Sequence, residues 1–163
     1  MKPKIKVITG GIKSGKTTYL QELLSSQENV AGIIQLAENN SRFFVDVSSG
    51  EKRELTSLNE NQDTFNIGNF LFRKSAFIWA KEKLSAALKN NHKIIAIDEF
   101  GLLELHGEGL EPVFGEIVRE AKSSSGFQLI VAIRKSLLDD FLKKFDIAKN
   151  EIEVEEIENN INQ

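Results

Sequence analysis

The sequence predicts an α/β protein in three layers, with helices on both sides of a mostly parallel central sheet and an antiparallel hairpin extending it. Three observations carry this expectation. A short apolar run at 5–9 passes through a glycine-rich turn directly into a segment of helical periodicity. Two further runs, 93–98 and 127–133, are almost continuously apolar, the pattern of strands buried on both faces. Segments of helical period lie between the runs, and that alternation is what parallel strands joined by crossover helices require.

After the glycine turn, Tyr19, Leu20, Leu23 and Leu24 recur at helical spacing until the polar run from Ser25 to Asn29 stops the helix. Residues 30–36 and 42–47 read as strands two and three. The turn Glu38-Asn39-Asn40-Ser41 joins them into an antiparallel hairpin. Ser49-Gly50-Glu51 makes another turn, and residues 52–55 add a short edge strand. The polar stretch 57–64 reads as a surface loop of the kind that borders substrate pockets.

From 72 to 88 the positions Phe72, Ala76, Trp79, Ala80, Leu84, Ala87 and Leu88 keep helical period, and Asn90-Asn91 end it. On such a stripe Trp79 and the phenylalanines read as core rather than as a base-stacking set. The buried strand 93–98 follows, then a helix over 110–122, the strand 127–133, a helix over 136–145 and a last strand around 152–154. There Ile152 and Val154 alternate with Glu151, Glu153 and Glu155, which predicts one buried and one solvated face. The tail 159–163 is expected to fray.

At 163 residues the chain has the length of one domain, and 1–163 is expected to form a single one. A net charge of −3 gives no basic footprint, so nucleic acid is not an expected partner. The absence of cysteine excludes disulfides, thiolate metal sites and cysteine nucleophiles. Lys2, Lys4 and Lys6 accompany an apolar stretch that runs straight into the glycine turn, which reads as a strand rather than a signal peptide. No apolar run is long enough to span a membrane. A cytoplasmic enzyme or switch is expected.

The spacing Gly10-x4-Gly15-Lys16-Thr17 matches the Walker A pattern, in the strand-to-helix context that the pattern needs. Gly10 and Gly15 let the backbone close on phosphate oxygens, and the amides of the following helix add the positive end of its macrodipole. Lys16 is suited to the outer phosphates, and the Thr17 hydroxyl to a Mg2+ ion that keeps most of its waters. The candidate nucleotide-binding residues are Gly10, Gly11, Ile12, Lys13, Ser14, Gly15, Lys16, Thr17 and Thr18, the last chiefly as support for the helix start. An anion in a crystal is expected against the amides of residues 12–17.

The stretch Ile94-Ile95-Ala96-Ile97-Asp98-Glu99 reads as a Walker B strand ending in a catalytic glutamate. Asp98 is the candidate metal residue beside Thr17. Glu99 is the candidate base that orients and deprotonates the attacking water. Charge developing on the γ-phosphate calls for a cation beyond Lys16. Arg134, directly after the strand 127–133, is the first candidate and Lys13 the second; either is alternatively a surface charge. Arg73 and Arg119 read as solvated.

The loop from Thr9 to Thr18, the Ala31-Gly32 start of strand two, and Asp98-Glu99-Phe100-Gly101-Leu102-Leu103-Glu104-Leu105 together resemble the small nucleoside-triphosphatase family first described from thermophiles, whose vertebrate members are called cancer-related nucleoside triphosphatases. The resemblance implies a RecA-like P-loop fold and Mg2+-dependent hydrolysis of nucleoside triphosphates with modest discrimination among bases. It assigns phosphate binding to Gly15, Lys16 and Thr17, metal to Asp98 and water activation to Glu99. Glu104 enters either as a further acid in the pocket or as a loop carboxylate capping the next helix. Phe100 and Leu103 replace the usual Ile and Met, and Glu158-Asn159-Asn160 lacks the Asn-Arg pair with which members often end.

Two other functions share these residues. A small-molecule kinase on the same fold would use Glu99 to activate a substrate hydroxyl, with the 57–64 loop as its lid. A nucleotide-gated binding module, such as a cofactor-assembly accessory protein, would bind nucleotide without turnover. No Asn-Lys-x-Asp segment is present to read guanine, which argues against a regulatory GTPase.

Overall fold

A computed structural model describes residues 3–11, 14–123 and 126–158 of the chain. The first apolar run forms β1 (Ile5–Gly10), and helix α1 (Lys16–Ser25) leaves the glycine turn as expected. Strands β2 (Val30–Glu38) and β3 (Ser41–Asp46) pair antiparallel across Asn39 and Asn40, whose φ angles of 50° and 66° suit a tight two-residue hairpin turn. The short edge strand β4 (Lys52–Glu54) pairs with β3.

The next segment departs from the expectation. Phe72, assigned above to a helix, lies in a strand. β5 (Thr64–Ile67) and β6 (Phe70–Arg73) form a separate two-stranded hairpin, and helix α2 starts only at Lys74, running to Lys89. The reason is a cap that comes from elsewhere. Asp63 accepts the Ser75 amide at 2.9 Å and the Ser75 hydroxyl at 2.6 Å, while its carbonyl accepts the Lys74 amide. Nothing in the helix's own N-terminal flank marks its start, so period alone ran backwards into the aromatic strand. The polar stretch before β5 is thereby tied to α2.

Strand β7 (Ile94–Phe100) is followed by a short helix, α3 (Leu102–Leu105), that the sequence reading did not contain. Helix α4 (Val113–Ser123), strand β8 (Gln128–Arg134), helix α5 (Leu138–Lys144) and strand β9 (Ile152–Ile157) complete the described chain. The main sheet has the order β4-β3-β2-β7-β8-β1-β9, with β2, β7, β8, β1 and β9 all parallel. It is therefore mostly parallel, with β3 and β4 as the antiparallel extension.

The two faces are covered unequally. Ile5, Val7, Ile33, Ile95, Ile97, Val131 and Ile133 pack with α2, α4 and α5 around Phe77, Trp79, Phe114 and Phe141. Trp79 is thus core, as its stripe predicts. The other face, with Ile8, Ile34, Ala96, Ile130 and Ala132, is covered by Leu20 and Leu24 of α1. Strand β9 shows the expected stripe only in part: Ile152 packs against the main core, but the burial does not continue along the strand. Val154 is 44% exposed, whereas Glu155 is half-buried, pairs with Lys6 at 3.1 Å and holds the Tyr19 hydroxyl. That bond pushes the Tyr19 pKa up to about 12. As the last strand of the sheet, β9 finds polar partners on the α1 side. No helix among the described residues is long and apolar enough to cross a membrane.

Candidate nucleotide site

Parallel order brings the carboxyl ends of β1, β8 and β7 side by side, and ligands in such sheets bind beyond these ends. Gly10 ends β1 in register with Arg134, the last residue of β8, and on the far side of β8 Ala132 registers with Asp98. Residues distant in sequence therefore share one crevice.

The loop leaving β1 is shaped by close approach. A Cβ on Gly10 would lie 2.5 Å from Ser14 Oγ and 2.7 Å from the Ile157 carbonyl of β9. Gly15 holds φ 94°, in the left-handed region, just before α1. The Lys16 ammonium folds over the loop and donates to the Gly11 carbonyl at 2.7 Å, with longer contacts of 3.4 Å to the Gly10 carbonyl and Ser14 Oγ. Burial lowers its pKa, opposed by the nearby carboxylates of Glu99 and Asp98, and Arg134 adds to the lowering. All three side chains thus lie within electrostatic reach of Lys16. Thr18 is exposed on α1. The candidates Ile12 and Lys13 lie outside the described residues.

Asp98 joins the two halves. It is 3% exposed, and its Oδ2 accepts the Thr17 hydroxyl at 2.8 Å and the Gln35 backbone amide at 3.0 Å. The Gln35 bond was not foreseen from the sequence. It uses an amide of β2 just past Ile33 and Ile97, the last registered pair between β2 and β7. Burial raises the Asp98 pKa to about 6, against the lowering effect of those two hydrogen bonds.

Glu99 occupies the most unusual backbone position in the site. Its φ is 75° inside a strand, and the β7–β8 register slips between Asp98 and Phe100. Strict alternation would place Glu99 with Ile95 and Ile97 on the α2 face and Phe100 opposite. Instead Phe100 joins Ile95 and Ile97 in the core, so the extra residue at Glu99 reverses the alternation. The bulge frees Glu99 from the core while Asp98 stays with Thr17. Neither the Glu99 nor the Arg134 side chain makes a hydrogen bond or ion pair with the described residues, and each residue is half-buried. Arg73 donates to the Thr56 carbonyl at 3.0 Å and Arg119 is exposed, both away from the crevice.

Glu104 lies within the short helix α3 rather than in a loop, and its carboxylate is engaged by main-chain amides before and after that helix. Both carboxylate oxygens accept backbone amides, from Gly101 and Leu110, each at 3.0 Å. Burial, with the charge of Glu99 as a lesser cause, raises its pKa.

The donor set also tests the fit of a metal. Among the described residues no cluster of three acidic, histidine or cysteine side chains is present. Thr17 and Asp98 offer two hard oxygens, which suits Mg2+ that takes its remaining ligands from water and phosphate.

A parallel sheet with a glycine-rich loop on α1, and acids at the end of a strand one place removed, defines a P-loop nucleoside triphosphatase. The family model described as NTPase matches residues 6–162, and the chain belongs to that nucleoside-triphosphatase family. Among solved structures it is similar to THEP1 from the hyperthermophile Aquifex aeolicus, at 19% identity and TM-score 0.72 over 94% of this chain and 90% of that one. It is also similar to a human cancer-related nucleoside triphosphatase, at 18% identity and TM-score 0.61 over 93% of this chain and 87% of that one. No curated protein matches the sequence.

Proposed function

We propose that the whole chain acts as one cytoplasmic domain that hydrolyses several nucleoside triphosphates at the β–γ bond with Mg2+. The observation that carries this reading is the Thr17–Asp98 hydrogen bond, which joins the two motifs across 81 residues of sequence beside Glu99. The loop amides and Lys16 bind the phosphates, Lys16 exchanging its carbonyl partners for phosphate oxygens. Thr17 and Asp98 would hold Mg2+, which supplies neutralising charge to the phosphates. Glu99 accepts a proton from water as the water oxygen bonds to the γ-phosphorus, and the bond from that phosphorus to the bridging oxygen breaks. Arg134 faces the charge that accumulates as nucleoside diphosphate and phosphate separate. Broad base use follows from the lack of a guanine-reading Asn-Lys-x-Asp segment.

The test is phosphate release from ATP, GTP, CTP and UTP with Mg2+, comparing wild type, Glu99→Gln and Lys16→Ala. Comparable turnover of all four, lost in Glu99→Gln while nucleotide still binds, is the expected result. A GTP rate more than about a hundredfold above the others would remove the broad specificity, since that ratio needs dedicated base contacts. Binding without turnover in wild type, relieved by adding a hydroxyl acceptor, would make the protein a kinase.

A further inference from the structure

Glu104 is the acid that the chemistry above leaves unused, and its surroundings are those of a built seat. It is 5% exposed, yet among the described residues no cation forms an ion pair with it; Lys144 pairs with Glu111 at 3.1 Å instead. A buried carboxylate without a counter-ion persists when hydrogen bonds satisfy it. Here they come from two separate segments. Gly101, two residues beyond Glu99, donates to Oε1, and Leu110, whose carbonyl receives the Phe114 amide of α4, donates to Oε2. Gly109, at φ 64°, leaves room for that carboxylate, since a Cβ there would lie 1.9 Å from Oε2. From the other side, Lys144 of α5 donates to the Glu104 and Leu105 carbonyls.

We infer that Glu104 is a positioning residue for Glu99: by holding the Gly101 amide it fixes the chain directly after the bulge, and so the direction in which the Glu99 carboxylate leaves β7. This role rests on the hydrolase function proposed above. A non-glycine residue at φ 75° stays there only when its neighbours over-determine it. On one side of Glu99, Thr17 and Gln35 pin Asp98. On the other, Phe100 is fully buried and Gly101 is fastened by Glu104. A base displaced by about 1 Å loses on the order of a hundredfold in rate, so a residue that never touches substrate acts on turnover through this geometry.

The experiment is single-turnover phosphate release from MgATP with Glu104→Ala and Glu104→Gln, each alone and in a Glu99→Gln background. Glu111→Gln serves as a control that weakens the Lys144 brace without touching Gly101. Glu104→Ala is expected to lower the rate about 10- to 100-fold, with the ATP concentration at half-maximal rate changed by less than about twofold. Glutamine, whose single oxygen serves only one of the two amides, falls between alanine and wild type. Both losses vanish in the Glu99→Gln background, because the two residues act through one carboxylate. Glu111→Gln lowers the melting temperature and leaves the rate unchanged.

Wild-type rates in the Glu104 variants below their melting temperatures overturn the inference. So does an equal loss in the Glu99→Gln background, which marks a general structural role. Should Glu104→Ala fail to fold, Glu104→Gln carries the same comparison. If Glu99→Gln itself turns over at the wild-type rate, the hydrolase roles fall and this one with them. If Glu99→Gln is slow while the Glu104 variants are not, only the positioning role falls.

Discussion

The two strands whose ends build the site deliver their chemistry by opposite means. β1 ends in a glycine turn, where what matters is main-chain N–H and the absence of side chains: Gly10 meets Ser14 and β9 too closely for a Cβ, and Gly15 turns through positive φ. β7 ends in two acids, one locked by hydrogen bonds and the other carried in the left-handed region by a full side chain. A phosphate wrapped by amides needs a chain that bends freely, and glycine bends without strain. A carboxylate that must point at water needs a held direction, and a bulge supplies it at some cost in backbone energy.

The largest effects separate the two ends. Glu99→Gln is expected to slow turnover about 10²- to 10⁴-fold, the usual worth of a general base, while leaving nucleotide affinity intact in calorimetric titration. In the proposed mechanism Lys16→Ala removes a cation from both the bound phosphate and the transition state. It should lose about 10²- to 10³-fold in rate and weaken binding too. If both variants change only the rate, the division between a binding end and an aiming end is wrong.

Arg134 tests the strand between them. Arg134→Ala is expected to cost about 10- to 100-fold in turnover with affinity little changed, because in the proposed mechanism its cation serves charge that develops late. An unaltered rate would mark it as a surface charge.

A smaller effect is read in pH. Asp98 has its folded pKa raised from 3.8 to about 6 by burial, so the stability that its neutral form provides is fully present below about 3.8 and is lost as pH rises through about 6. Asp98→Asn stays neutral throughout. Its stability relative to wild type, from urea denaturation without metal, should improve by about 1–3 kcal/mol between pH 4 and pH 7, although its activity is lost. A pH-independent difference would contradict the burial argument.

The smallest effect isolates the backbone at Glu99. Glu99→Gly should be more stable than Glu99→Ala by about 1 kcal/mol, since only glycine takes φ 75° freely. Equal stability of these two inactive variants would show that the bulge relaxes once the carboxylate is gone.

Much of this was legible in the chain. The strands of the main sheet, the turn from β1 into α1 and the acids at the end of β7 follow from short-range pattern, whereas the β5–β6 hairpin and α3 do not. The misreadings have a common cause. Helical period alone places Phe72 in a helix because the cap that starts α2 comes from Asp63, eleven residues before Lys74. Alternation in β9 predicts a buried Val154, yet in this last strand of the sheet Val154 is exposed and Glu155 on the other face is held by Tyr19 and Lys6. Gln35 has no sequence signal because it contributes a backbone amide, which no side-chain motif announces.

The sequence by itself determined the chemical inventory: a loop able to cradle phosphate, a lysine, a threonine and two acids in an alternating α/β chain. Glycine spacing, apolar runs and helical period are local properties that a linear reading detects. Only the tertiary structure decided which groups meet and how they point. The Thr17–Asp98 contact, the turn of Glu99 out of the core and the seating of Glu104 between Gly101 and Leu110 depend on strand register and on amides brought from elsewhere in the chain. Such pairings exist only once non-local strands have docked, because until then the groups that satisfy each other are held apart by the chain between them.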